Sequence, residues 1–252
     1  MIRQAPRMKI TFLINHDLPS LLALNYLIPA LAQDEFSVFY TNRPVSRIAS
    51  NTSELFELNE FDQNKLAQFS SLKQPLYSFA HFKAKLLNDI NVADFARYIE
   101  SQPDLVISIR HMSILGQAVI DYPRHGIINL HSGLLPEYKG VMATFWALLN
   151  KESQVGTTLH YIEDSTIDTG SIISRSISNV DYRQSYFWNV LDLYRAGSVN
   201  ILDAVRTLKT GCSLISKNQA SNGRYYTYPT ANDIKKIDVP LFNLSDSPLE
   251  FI

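Results

Sequence analysis

A single cysteine, Cys212, in a chain of 252 residues leaves no material for an internal disulfide framework or a multi-cysteine metal site, and fits a reducing compartment. Glycine is scarce: the turn after the first strand candidate, Asn15-His16-Asp17-Leu18-Pro19-Ser20, holds none, so it lacks the glycine-rich backbone that cradles a phosphate. Charge of one sign is missing as well. Lys and Arg number 23 against 24 Asp and Glu, a net charge of -1, with no clustered basic stripe. A protein that grips nucleic acid through its phosphates shows one or the other, so RNA is disfavoured as a substrate. The longest apolar run extends only from residue 21 to residue 32 and contains Asn25 and Pro29, too short and too broken to span a bilayer. The first nine residues lack the charged-then-apolar pattern of a signal peptide. A cytoplasmic protein without membrane contact is expected. No internal repeat or low-complexity tract is present.

What is there is ordinary for a globular chain: 46% hydrophobic and 19% charged residues, enough length for one large or two small domains and a sizeable core. Strand-like and helix-like segments alternate. Apolar runs predict strands over residues 9–15, 36–42, 104–110 and 126–131, with two more over 156–162 and 171–180. Helical periods predict helices over 21–33 (Ser20 as N-cap), 62–72, 80–89, 92–100, 114–121 and 142–150. A long helical region over 181–210 is interrupted by Gly197, and a short helix covers 231–237. The alternation implies an α/β fold: a Rossmann-like, mostly parallel sheet with flanking helices. A boundary near Val180 divides the chain into a catalytic domain (1–180) and a smaller helical, aromatic-rich C-terminal region (181–252).

In such sheets the functional crevice lies beyond the carboxyl ends of the strands. The strand ending at His131 leads into Asn129-Leu130-His131-Ser132-Gly133-Leu134-Leu135-Pro136-Glu137-Tyr138-Lys139-Gly140. Alternation puts Asn129 and His131 on one face, where a carboxamide and an imidazole can donate to an oxygen that becomes negative during acyl transfer. A capping Asn and a hydrogen-bonded core His would satisfy the same spacing. Asp168, in Ile167-Asp168-Thr169-Gly170, is either an ordinary turn residue or a carboxylate that favours the charged form of a neighbouring imidazole and passes protons.

N-L-H-S-G-L-L-P-E-Y-K-G, then G-T-T-L-H, then I-D-T-G, in that order, resembles the formyltransferases that use N10-formyltetrahydrofolate. The resemblance covers residues 105–173. It implies that Asn129, His131 and Asp168 are the catalytic trio and that N10-formyltetrahydrofolate is the co-substrate. It also implies that Met112, Ser113, Ile114 and Leu115 lie where backbone holds the pterin, with Thr158 and His160 as a supporting pair.

Within that resemblance, the glycine-free turn after the first strand argues against glycinamide ribonucleotide as acceptor. The residues after the boundary are too few for the tRNA enzyme's further C-terminal domain, and those before residue 104 leave no room for the hydrolase's regulatory domain. The remaining expectation is a small amine, most of all a nucleotide-linked amino sugar. Formyltetrahydrofolate hydrolysis and non-catalytic folate binding are the rival readings. Tyr225, Tyr226 and Tyr228 offer a stacking surface for a base or sugar ring, though a surface strand covering the edge of the core has the same pattern. Tyr186, Phe187, Trp188 and Tyr194 suit packing in the core or across a homodimer. His16 could face the crevice. His81, His111 and His125 have no evident partners, and no metal is expected.

Overall fold

β1 (Lys9–Asn15) is buried along nearly its whole length, because apolar residues occupy both of its faces, as a central strand of a parallel sheet requires. The computed structural model describes residues 7–42, 52–71, 77–220 and 222–252. Expectations that fall on residues 1–6, 43–51 and 72 lie outside these. After β1 come α1 (Leu18–Ala30), β2 (Glu35–Thr41), α2 (Ser53–Ser71), β3 (Lys85–Leu86), α3 (Phe95–Glu100), β4 (Leu105–Ile109) and α4 (Gln117–Ile120). The second half runs β5 (Ile127–His131), β6 (Tyr138–Gly140), α5 (Ala143–Leu149), β7 (Gln154–Ile162), β8 (Ile172–Asn179), α6 (Tyr186–Lys209), β9 (Arg224–Tyr226), α7 (Ala231–Ile234) and a closing 3₁₀ turn (Pro248–Phe251).

Seven strands form one sheet in the order β3-β2-β1-β4-β5-β7-β8. The pairings from β3 through β5 are parallel. β7 is antiparallel to β5, and β8 is antiparallel to β7, the latter because the connection 163–171 is shorter than the roughly a dozen residues a parallel crossover needs. A separate parallel pair joins β6 to β9.

Several elements depart from the predicted ones, each for a local reason. α1 begins before Ser20 because the Asp17 carboxylate caps it, accepting from the Ser20 N–H, and Pro19 is tolerated in a first turn where no N–H is required. In place of a helix over 80–89 there is the edge strand β3: Lys83 adopts φ 51°, outside helical space, and the chain then pairs with Phe39 and Tyr40 of β2. α4 is shorter than predicted because Asn91 holds the chain ahead of it, donating to Ile114 O and accepting from Gly116 N–H. Gly197 does not interrupt α6. A β-carbon there would lie 2.9 Å from Thr157 Oγ1 and 3.0 Å from Leu130 Cδ2, so glycine lets the helix approach the sheet. The boundary near Val180 does not separate two cores, since Phe187, Tyr194 and Ile201 of α6 share one buried cluster with Phe12, Leu24 and Ile107. Among the described residues no helix is long and apolar enough to cross a membrane.

Candidate active site

β5 and β7 assemble the centre by antiparallel register, which sets Asn129 opposite His160 and His131 opposite Thr158. Asn129 Nδ2 lies 3.1 Å from His160 Nε2, and His160 Nδ1 lies 2.8 Å from Tyr161 O. The carbonyl takes the proton on His160 Nδ1, and Asn129 spends at most one amide hydrogen on Nε2, so its second amide hydrogen remains available. His131 Nε2 donates to Tyr138 O over 2.7 Å, and its Nδ1 lies 3.4 Å from Asp168 Oδ2. The other carboxylate oxygen lies 3.5 Å from His160 Nε2.

Asp168 sits in the loop between β7 and β8 with φ 55°, and its Oδ2 accepts from the Gly140 N–H over 2.8 Å. Burial by itself would push this carboxyl up. The charge of His131, the hydrogen bond and charge of His160, and the Gly140 N–H outweigh it and hold the group at about 2. Gly140 has φ 93°, and a β-carbon there would meet Tyr226 O at 2.2 Å and the Tyr225 ring at 2.9 Å, so only glycine brings this N–H so close to β9.

The three polar groups open onto a cavity of about 230 Å³. Its wall includes Asn129, His131, Asp168, His160, the whole segment Met112 to Leu115, and Tyr225. Thr158 is not on the wall. Fully buried, its hydroxyl donates to Gly133 O at 2.7 Å and accepts from Leu135 N–H at 3.0 Å, holding the loop that follows β5. The aromatic cluster divides in the same way. Tyr225 is 50% exposed and faces the cavity, whereas Tyr226, on the other face of β9, is 8% exposed and stacks on Trp146 and Tyr138. Tyr228 packs against the main core. His16 lies between Tyr40 and Phe79 and not on the cavity wall.

The wall also contains Arg110, His111 and Tyr186, which the sequence reading did not place in a site. Both His111 ring nitrogens are buried, and burial pushes the ring down to about 4, so it is neutral near pH 7. Arg110 is left-handed at φ 57°, and its Nε donates to Asp17 Oδ2 over 2.7 Å. No local pattern marks this pair, whose members are brought together by the adjacent ends of β1 and β4.

Beside that pair, Asp62 of α2 accepts from the Leu18 N–H at 3.0 Å. Burial, reinforced by the Asp17 charge, raises its carboxyl to about 8. The folded state therefore keeps a proton that the unfolded chain releases near 3.8, so this group's contribution to stability declines as pH rises from about 4 to about 8. Asp62→Asn keeps an acceptor for Leu18 and removes the ionisable group. Thermal unfolding should show a Tm gain of roughly 5 °C at pH 8 and a smaller one at pH 5. Equal changes at both pH values would refute the protonated-acid assignment.

Residues 43–186 match the family described as formyl transferase. A methionyl-tRNA formyltransferase from Geobacter metallireducens is 40% identical over 84 residues, which is 33% of this chain and 27% of that relative. The match thus spans well under two thirds of that protein. Solved structures align over much more of the fold. A 4-N formyltransferase from Francisella tularensis superimposes with a TM-score of 0.61 at 16% identity, covering 91% of this chain and 79% of that one. A sugar N-formyltransferase from a Shewanella species does so with a TM-score of 0.57 at 17% identity, covering 90% and 78%.

Proposed function

We propose, from the premise that this chain belongs to the formyl transferase family, that it transfers the formyl group of N10-formyltetrahydrofolate to the amine of a small acceptor, a nucleotide-linked amino sugar. The observation that carries the reading is the convergence of Asn129, His131 and Asp168 on one cavity whose wall also contains residues 112–115. The acceptor's neutral amine attacks the formyl carbon. The negative oxygen of the tetrahedral intermediate is met by the free Asn129 N–H and by a proton on His131 Nδ1. Backbone groups of 112–115 hold the pterin edge. The amine proton passes, directly or through water, to N10 of the leaving tetrahydrofolate.

Asp168 has a narrower part in this chemistry than a general base would have. A carboxylate held at about 2 is a weak base, so its main effect is to stabilise the cationic form of His131 and fix the ring's orientation. No covalent enzyme intermediate is needed.

The balanced net charge of -1 supports a small acceptor over a polyanionic one, and Tyr225 offers a ring face at the cavity wall. Incubation with N10-formyltetrahydrofolate and a panel of nucleotide-linked amino sugars, with initiator methionyl-tRNA alongside, tests the acceptor through the mass gain of a formyl group. Tetrahydrofolate should form slowly without an amine and match formylated product one for one with the right sugar. An acceptor held in near-attack geometry can outcompete water at about 55 M. Formylation of the tRNA alone would overturn the acceptor class. Full-rate tetrahydrofolate release that no amine alters would make the protein a hydrolase. Folate binding without turnover of any kind would make it a binding module.

A further inference from the structure

The two backbone groups that tether the catalytic side chains, Tyr138 O beneath His131 and Gly140 N–H on Asp168, both belong to β6. β6 is only three residues long, and its sheet partner is β9, with Tyr138, Lys139 and Gly140 in register with Arg224, Tyr225 and Tyr226. Val141 N–H extends the ladder to Tyr226 O at 2.9 Å. The second catalytic loop is held by the same stretch of chain. Lys217 and Ile172 exchange two backbone hydrogen bonds of 2.8 Å, and Gln219 Nε2 donates to Asp168 O at 2.9 Å and to Gly170 O at 2.7 Å. Gln219 Oε1 is buried without a hydrogen-bond partner among the described residues, so the amide's bonding is directed at the Asp168 loop.

We infer that the segments 217–220 and 222–226 form a strap that completes the catalytic centre, with Gln219 as a positioning residue for Asp168. This rests on the formyl-transfer reading, and the strap lies beyond residues 43–186, the stretch that matches the family. The physical case is one of geometry. Asp168 is a non-glycine residue at φ 55°, a conformation that costs free energy and persists only where its surroundings enforce it. Gln219 bridges the carbonyl of Asp168 itself and that of Gly170 two residues on, which fixes the backbone on which the carboxylate is mounted. With that bridge gone the loop can relax toward ordinary backbone angles, carrying Oδ2 away from both Gly140 N–H and His131 Nδ1. A displacement of about 1 Å at a reacting centre can cost on the order of 100-fold in rate.

Gln219→Met keeps the apolar stem and deletes the donors, and Gln219→Glu keeps the shape and replaces them with acceptors. In the full chain, either should lower kcat for formyl transfer by about 10- to 100-fold while KM for the formyl donor changes little. A second readout needs no acceptor. Hydrogen exchange of the Gly140 amide, which the Asp168 carboxylate protects, should accelerate about 10-fold or more, while that of the neighbouring Val141 amide, held by β9, stays at its wild-type rate. Unchanged Gly140 exchange or unchanged kcat in a folded variant overturns the inference. So does equal acceleration at Gly140 and Val141, which would make Gln219 a general stability residue, and so does failure of both variants to fold. If the wild-type protein formylates no amine, the proposed function fails, and the exchange rates still decide whether Gln219 positions Asp168.

Discussion

His131→Ala should lose about 100- to 1000-fold in formyl transfer while binding N10-formyltetrahydrofolate nearly as well as the wild type. The imidazole is buried, its Nε2–H is committed to Tyr138 O, and only Nδ1 turns toward Asp168 and the cavity. It therefore contributes little to holding a neutral substrate and much to the charge that appears on the formyl oxygen as the amine attacks. That difference places the loss in kcat and not in KM. Truncation also strips Tyr138 O of its donor, so some loss of stability will accompany the loss of rate, and circular dichroism must establish that the variant is folded. Near wild-type turnover in a folded His131→Ala protein would remove this residue from the mechanism.

Asp168→Asn should cost on the order of 100-fold in kcat for a different reason. The carboxylate accepts from Gly140 N–H and faces both His131 and His160, and the neutral amide that replaces it cannot favour a cationic His131 or satisfy the same three groups at once. The substitution also predicts a change in acid stability. The folded-state carboxyl is held at about 2 against an ordinary 3.8, so in the wild type its ionisation contributes stability above about pH 4 that is lost as pH falls through about 2. Asp168→Asn lacks this contribution, so the Tm gap between the two proteins should be widest above pH 4 and narrow steadily below it. Turnover within 10-fold of wild type, or a Tm gap independent of pH, would contradict this account.

Asn129 and His131 are legible in the sequence because their placement follows from short-range rules. Strand alternation sets Asn129 and His131 on one face, and a parallel α/β sheet collects function at its carboxyl edge. The apolar strand predicted over 104–110 and the β-α-β opening are read by the same reasoning, whereas segment 112–115 beyond that strand was supplied only by the resemblance. The order of the motifs, read as a resemblance, supplied Asp168 and His160 as partners but not their distances.

Only the tertiary structure decided the rest, because it depends on pairings between residues far apart in the chain. Antiparallel register brought His160 to Asn129 and made Thr158 a buried support for the loop after β5. Pairing of β9 with β6 turned Tyr225 to the cavity and Tyr226 into the core, a division that a run of four aromatic-rich residues does not express until one face is covered. The packing of α2 against the first turn of α1 made Asp62 a buried acid. Gln219 carries no mark in its own neighbourhood. Its hydrogen bonds reach carbonyls some 50 positions earlier, and backbone carbonyls, present at every residue, leave no trace in the amino-acid sequence.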